Sequence, residues 1–140
     1  LLGEVIDVHG RRRDLQLKGS GPTPFARGAD GKAVLGPMLR EYLVGESLHR
    51  LGIPSTRALA VLTTGERVVR DGLAVPGAVL CRVAASHLRV GTFQLAARME
   101  RPVLRSLADY AIDRHYPASR DAGNPYLDLF AQVADAQARR

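Results

Sequence analysis

The order of hydrophobic patterns along the chain limits its fold more than any other feature. Four segments alternate or cluster apolar residues as strands do: 1–9, 14–18, 57–63 and 78–84. A helical pattern interrupts them at 33–51, and three more follow Gly91, at 92–99, 102–115 and 125–138. This order predicts an α+β fold, in which an antiparallel sheet with one packed helix is followed by a helical region.

Local signals refine this prediction. A turn at 9–11 should join the first two strands into a hairpin, and Gly52 is a natural stop for the helix at 33–51. The apolar stripe of that helix is expected to comprise Leu35, Met38, Leu39, Tyr42 and Leu43. A polar turn is expected at 64–66, followed by a short piece at 67–69.

Composition excludes several classes of protein. The chain has 140 residues, of which 46% are hydrophobic and 24% charged, as in one globular domain rather than a disordered tail. A single cysteine, Cys81, excludes an intramolecular disulfide framework and a zinc site of several thiolates, and the four histidines lack metal-ligand spacing. No apolar run reaches the roughly 20 residues of a membrane span, and no secretory signal is visible. The sequence therefore predicts a cytoplasmic protein with no membrane partner.

The positive charge does not by itself indicate nucleic-acid binding. The formal net charge is +6, but the basic residues are scattered, and of 20 only Lys18 and Lys32 are lysine. Such a bias towards arginine is typical of a GC-rich genome. We therefore expect no nucleic-acid partner. Because lysine is so rare in this chain, Lys18 and Lys32 are the basic residues for which a specific role is easiest to argue.

The ends of the chain suggest that it is part of something longer. It lacks an initiator methionine, and residues 136–140 continue a helical pattern without a stop signal. We expect a fragment.

Lys18 is the first candidate for chemistry. It ends a strand in which Leu15 and Leu17 share one face and Gln16 and Lys18 the other, and glycines follow it. A solvated edge residue is the plain interpretation. A strand lysine that faces a glutamate on the next helix, however, is how protein kinases orient nucleotide phosphates. Both Glu41 and Glu46 are available, and helical periodicity does not choose between them.

Arg82 lies inside an apolar strand, and Arg89 follows seven residues later. Alternation puts Arg82 opposite Cys81 and Val83, so it can face a cleft while these two pack inward. Two arginines and a lysine would make a phosphate clamp. The alternatives are that Arg82 pairs with an acid or points to the wet face of the strand. Asp30 and Gly31 by themselves indicate a plain turn.

Several blocks of the sequence strongly resemble the SelO family. They are DLQLKGSGPTPFAR from Asp14, ADGKAVL from Ala29, LREYLVGESLH from Leu39, LGIPSTRAL from Leu51 and RVAASHLRVGTF from Arg82. The blocks occur in the family's order and cover nearly the whole chain.

The resemblance implies a pseudokinase with a protein-kinase-like fold that transfers AMP from ATP to protein hydroxyls. It makes residues 1–91 most of a nucleotide-binding N-lobe, and 92–140 a helical segment leading into a C-lobe. It implies that Lys18, Asp30, Gly31, Arg82 and Arg89 contact ATP, and that Glu41 orients the lysine. The nucleotide would bind flipped relative to kinases. Gln16 fits this, because it stands where kinases have a small alanine that packs on adenine.

The departures from the family matter as well. Its glycine-rich loop would precede residue 1, and its catalytic aspartate and its ligands for Mg²⁺ or Mn²⁺ would lie beyond residue 140. We therefore expect neither a catalytic nor a metal-binding residue here, and no activity from this chain alone. Two other functions stay open: an ordinary kinase-like phosphotransferase, and a non-catalytic module that binds nucleotides or polyanions.

Overall fold

A computed structural model describes residues 1–24, 26 and 28–139 of the chain. The chain divides into two compact units, residues 1–87 and those from Leu88 onward. The first contains an antiparallel sheet and one helix, and the second is helical. The predicted α+β class is confirmed. The naming of a kinase-like N-lobe and the division into 1–91 and 92–140 stay predictions.

The sheet is organised around its last strand. Its strands are β1 (Gly3–Ile6), β2 (Arg12–Lys18), β3 (Ala33–Val34), β4 (Arg57–Arg70) and β5 (Leu73–Ala84). β2 and then β3 pair with one edge of β5, β4 pairs with its other edge, and β1 pairs with β2, all antiparallel. Every strand except β1 therefore depends on β5.

Helix α1 (Leu35–Arg50) covers the face of the sheet on which Arg82 lies. Met38 is buried against Ala78 and Leu80. Because side chains alternate along β5, Ala78, Leu80 and Arg82 share this face. The expectation that Cys81 packs inward, away from Arg82, was therefore wrong: the buried core is on the side of Arg82, and Cys81 is half-buried on the opposite face.

The predicted apolar stripe of α1 was partly wrong. Leu35 and Met38 do pack on the sheet, but Leu39, Tyr42 and Leu43 are exposed. Towards the sheet the helix presents both apolar and charged residues: Met38 is buried there, and Glu41 binds Lys18 and Arg82. Residues 33 and 34, expected in the helix, extend along β5 as β3.

The expected turn at 64–66 was also wrong. β4 continues to Arg70. Its register with β5 is irregular between Thr63 and Arg67, and Gly65, which has a positive φ, lies within this irregular stretch. The reversal comes at Asp71 and Gly72, whose φ angles of 51° and 77° suit a two-residue hairpin turn. An aspartate–glycine pair between apolar runs is a known hairpin signal. The turn was nevertheless predicted at 64–66, because Gly65 also favours a turn.

The second unit consists of α2 (Val90–Ala96), α3 (Arg101–His115), a 3₁₀ helix (Pro117–Asp121) and α4 (Pro125–Ala138). Ala111, Ile112 and Leu129 form its buried core. The side chain of Asn124 accepts the N–H of Leu127 at 3.2 Å and so caps α4. The three predicted helices are thus present: α4 has the predicted bounds, α3 begins one residue earlier than predicted, and α2 begins two residues and ends three residues earlier.

Parts of two predictions lie outside the described residues: positions 25 and 27 of the loop after β2, and position 140 at the C-terminal end. In the described part of the chain, no helix combines the length and apolar character needed to cross a membrane.

Candidate functional site

Strand register brings the candidate side chains of β2 and β5 together. Gln16 is the cross-strand partner of Arg82, and Lys18 that of Leu80. Residues two apart in a strand share a face, so Gln16, Lys18 and Arg82 all lie under α1. Glu41 reaches them from the helix.

The Glu41 carboxylate holds both cations. Its Oε2 atom accepts a hydrogen bond from Lys18 Nζ, and its Oε1 atom accepts one from Arg82 NH1 at 3.1 Å. Arg82 NH2 donates to Gln16 Oε1. The Arg82 side chain is only 11% exposed, against 44% for Lys18. A guanidinium this deeply buried requires such partners, because an unpaired buried charge is strongly destabilising.

This group carries positive charge at neutral pH. Burial raises the pKa of Glu41, but the hydrogen bond from Lys18 and the charges of Lys18 and Arg82 outweigh it and leave the pKa below its usual value. Two cations and one carboxylate give this group of three side chains a formal net charge of +1. Arg82 Nε is also buried without a hydrogen-bond partner among the described residues. The arrangement can therefore attract an anion.

The other glutamate of α1 serves a different partner. Glu46 pairs with Arg57, with Nε to Oε1 at 2.7 Å and NH2 to Oε2 at 2.8 Å. The hydrogen bond from Arg57 lowers the pKa of Glu46. The choice of Glu41 over Glu46 as the partner of Lys18 is confirmed, although the role of the pair in nucleotide binding stays a prediction.

Asp30 and Gly31 lie on the segment that returns from the loop to β3. Both oxygens of Asp30 bind the Arg70 guanidinium, at 2.8 and 2.9 Å, and this hydrogen bonding lowers the pKa of Asp30. Gly31 has a φ of +64°, and a Cβ atom there would lie 1.9 Å from the carbonyl oxygen of Gly21. The close contact between the backbones at Gly31 and Gly21 therefore requires glycine at position 31. The interpretation of this segment as a plain turn did not include this steric reason.

Arg89 lies in the second unit, immediately before α2. Its side chain is exposed, and its backbone N–H donates to Thr92 Oγ1 at 3.2 Å. Joint action of Arg89 and Arg82 on one phosphate chain stays a prediction.

Sequence reasoning missed two residues of this region. Asp14 is buried, and its Oδ2 atom accepts a hydrogen bond from the backbone N–H of His87 at 3.0 Å, so it holds the segment that follows β5 against β2. Arg70 was not singled out at all, because nothing local links it to an aspartate 40 residues earlier. A polar residue at a buried strand position could have indicated Asp14, whereas no sequence signal indicated Arg70.

The cavity beside the Glu41 group is small. It measures about 200 Å³ and is lined by Glu41, Gly45, Leu80 and Arg82 among others. Pockets that enclose a drug-sized ligand measure about 300–1,000 Å³. This cavity alone is therefore too small to enclose a nucleotide. Within the described ranges no three residues of the types His, Cys, Asp and Glu cluster as metal ligands.

Comparisons with known proteins match this chain along its whole length. The family model described as "Protein adenylyltransferase SelO" matches residues 1–140. A protein nucleotidyltransferase YdiU of Cereibacter sphaeroides (strain ATCC 17025) is 68% identical over 139 residues, 99% of this chain and 29% of that protein. Proteins of the same name from Rhizobium rhizogenes and Agrobacterium fabrum are 64% and 62% identical, over 99% and 98% of this chain and 28% of each relative.

The chain thus spans less than a third of the length of these relatives, which supports the expectation of a fragment. The resemblance found in the sequence is confirmed, and the chain belongs to the SelO family.

Proposed function

We propose that this chain is the nucleotide-binding part of a protein adenylyltransferase that uses ATP. The observation that carries the proposal is the group of Lys18, Glu41 and Arg82, in which one carboxylate aligns two cations on one face of the sheet. Phosphate oxygens have the charge and geometry that an arginine fork and a lysine ammonium bind best. Membership of the SelO family supplies the nucleotide and the protein acceptor.

In the proposed reaction, a serine, threonine or tyrosine hydroxyl of a target protein attacks the α-phosphorus of ATP. A new bond forms between the hydroxyl oxygen and the α-phosphorus, the bond to the β-phosphate oxygen breaks, and pyrophosphate leaves. The hydroxyl proton passes to a base outside residues 1–140. Lys18, Arg82 and Arg89 stabilise the negative charge that develops on the phosphate chain.

The flipped orientation of ATP has support from Gln16. Its amide oxygen is occupied by Arg82 NH2, so the place of the small alanine of kinases is filled by a polar, hydrogen-bonded side chain. Adenine would gain little apolar contact there, whereas phosphates beside Arg82 would gain charge pairing.

A divalent metal is implied by the family, but the described residues do not fit it, since they contain no cluster of ligands. The residues of this chain therefore supply binding and orientation. On this proposal, residues 1–140 alone bind the nucleotide weakly and transfer no AMP.

The test uses the complete gene product with Arg82→Ala and Arg89→Ala. Removal of either charge-assisted hydrogen bond to phosphate should weaken ATP binding about ten- to a hundredfold, and lysine at either position should rescue only partly. Arg13→Ala is the matched control, because this arginine lies on the opposite face of β2 and is bound by Asp7, with Nε to Oδ2 at 3.0 Å. A purely structural role of Arg82 predicts a lower melting temperature with unchanged affinity.

Labelled ATP separates the proposal from the phosphotransferase alternative. Label from the α-phosphate should appear on the target protein, and label from the γ-phosphate should not. The opposite result would replace the proposal with phosphoryl transfer, and binding without transfer would favour a non-catalytic module.

A further inference from the structure

Arg70 connects the end of β4 to the segment that carries Asp30 and Gly31. Its NH1 atom donates to Asp30 Oδ2 at 2.9 Å. Its NH2 atom donates to Asp30 Oδ1 at 2.8 Å and to the carbonyl oxygen of Lys32 at 2.9 Å. One guanidinium thus holds a side chain and a backbone carbonyl of residues 30–32.

The backbone of Arg70 is held firmly in the sheet. Arg70 is the last residue of β4 and pairs with Leu73 across the hairpin turn. Its NH1 atom also donates to the carbonyl oxygen of Val69 at 2.7 Å. A side chain anchored at both ends is well suited to set the position of a neighbouring segment.

Residues 30–32 are closely held at the other side as well. Ser20 and Lys32 form a β-bridge, and the Gly21 N–H donates to the Gly31 carbonyl oxygen at 3.2 Å. Asp30 Oδ1 accepts the N–H of Lys32 at 3.0 Å. The segment therefore has a defined backbone path, of which Arg70 determines one side.

The charges indicate what Asp30 does. A free carboxylate beside ATP would repel its phosphates, but both oxygens of Asp30 are occupied by Arg70. We propose that Arg70 is a positioning residue of the nucleotide site, which neutralises Asp30 and holds residues 30–32 so that their backbone meets the nucleotide. This inference rests on the proposed function and adds to it a residue that acts through Asp30.

The test is a double-mutant cycle in the complete gene product, with Arg70→Met, Asp30→Asn and the double variant. Asparagine keeps the Oδ1 atom that accepts the Lys32 N–H, and it replaces the charged Oδ2 acceptor of Arg70 NH1 with an NH2 group that cannot accept a hydrogen bond. Because the side chains of Arg70 and Asp30 are 38% and 47% exposed, each single variant should weaken ATP binding about two- to fivefold, and the double variant no further, since both changes break one interaction. Hydrogen exchange of residues 29–34 should rise in all three, with the melting temperature nearly unchanged.

Arg67→Met is the matched control. It removes the same charge from the same strand, and its guanidinium contacts the carbonyl oxygen of Ala74 instead of the loop. It should change ATP affinity less than about twofold, since a charge effect alone is weak at an exposed site. If Arg70→Met fails to fold, Arg70→Lys takes its place. Lysine keeps the charge without the fork, and a partial decrease in affinity is expected.

Effects that add in the double variant would overturn the proposal, because Asp30 and Arg70 would then act separately. Unchanged affinity alongside faster exchange would also overturn it. If the unaltered protein binds no ATP, the proposed function fails, and hydrogen exchange alone decides whether Arg70 holds residues 30–32. Non-additive acceleration would support that positioning, and unchanged exchange would refute it.

Discussion

Removal of the Glu41 carboxylate should destabilise the first unit much more than removal of Glu46 from the same helix. Glu41→Ala deletes the partner of Arg82, whose side chain is 11% exposed, and of the more exposed Lys18. Removing a charge-assisted bond to a buried group destabilises by about 1.5–3 kcal/mol. The exposed pair adds about 0.2–1 kcal/mol. The expected decrease in stability is therefore about 2–4 kcal/mol.

Glu46→Ala is the matched control. Both substitutions replace glutamate by alanine inside α1, so their effects on helix propensity cancel. Glu46 binds Arg57 with two bonds, but the arginine side chain is 44% exposed. Solvent reduces the value of such a pair, and the expected decrease is below about 1 kcal/mol.

Urea unfolding of the purified chain, followed by circular dichroism, measures the difference. With a denaturant slope of about 2 kcal/mol per molar, Glu41→Ala should lower the midpoint by roughly 1–2 M, and Glu46→Ala by less than about 0.5 M. Equal decreases in the two variants would refute the reasoning, because burial of Arg82 would then add nothing to the pair.

Three further outcomes are expected. The difference in unfolding free energy between the unaltered chain and Glu41→Ala should be constant above about pH 5.5. It should shrink as the pH falls below 4.5, the ordinary pKa of a glutamate, because the pKa of Glu41 is lowered in the folded chain. Unfolding curves from pH 3 to 7 measure this, and a difference that grows in acid would contradict it. Gly31→Ala should destabilise by about 2–4 kcal/mol, whereas Gly28→Ala, also at positive φ but with open space around it, should destabilise by only about 1–2 kcal/mol; thermal melts compare the two, and equal effects would exclude the steric argument. Asn124→Ala should remove the cap of α4 and lower stability by about 1 kcal/mol, measured by hydrogen exchange in its first turn; unchanged exchange there would show that the cap is dispensable.

The sequence predicted those parts of the fold that depend on local periodicity. The helix ends at 50, 115 and 138 lie within a residue of the expected ones, because stop signals and apolar spacing act over a few neighbours. The reversal at Asp71 and Gly72 was missed, since three glycines compete for turns in that region and long-range pairing with β5 decides among them.

The candidate site shows the same limit. Periodicity alone did not choose between Glu41 and Glu46, because it counts apolar residues and ignores the need of a buried arginine for an acidic partner. Only the family resemblance selected Glu41. The link between Asp30 and Arg70 spans 40 residues and arises from the folded hairpin, so no local pattern could contain it.

The central position of β5 has a consequence for synthesis on the ribosome. β2, β3 and β4 all pair with β5, the last of the five described strands in chain order, and Ala78 and Leu80, the buried neighbours of Met38, lie on β5. The β1–β2 hairpin and α1 therefore leave the exit tunnel without a surface on which to dock. Their assembly waits until about residue 84 has emerged, several seconds after the first strand at bacterial rates of roughly 5–20 residues per second. For that interval Met38 lacks the buried neighbours that it has in the folded unit.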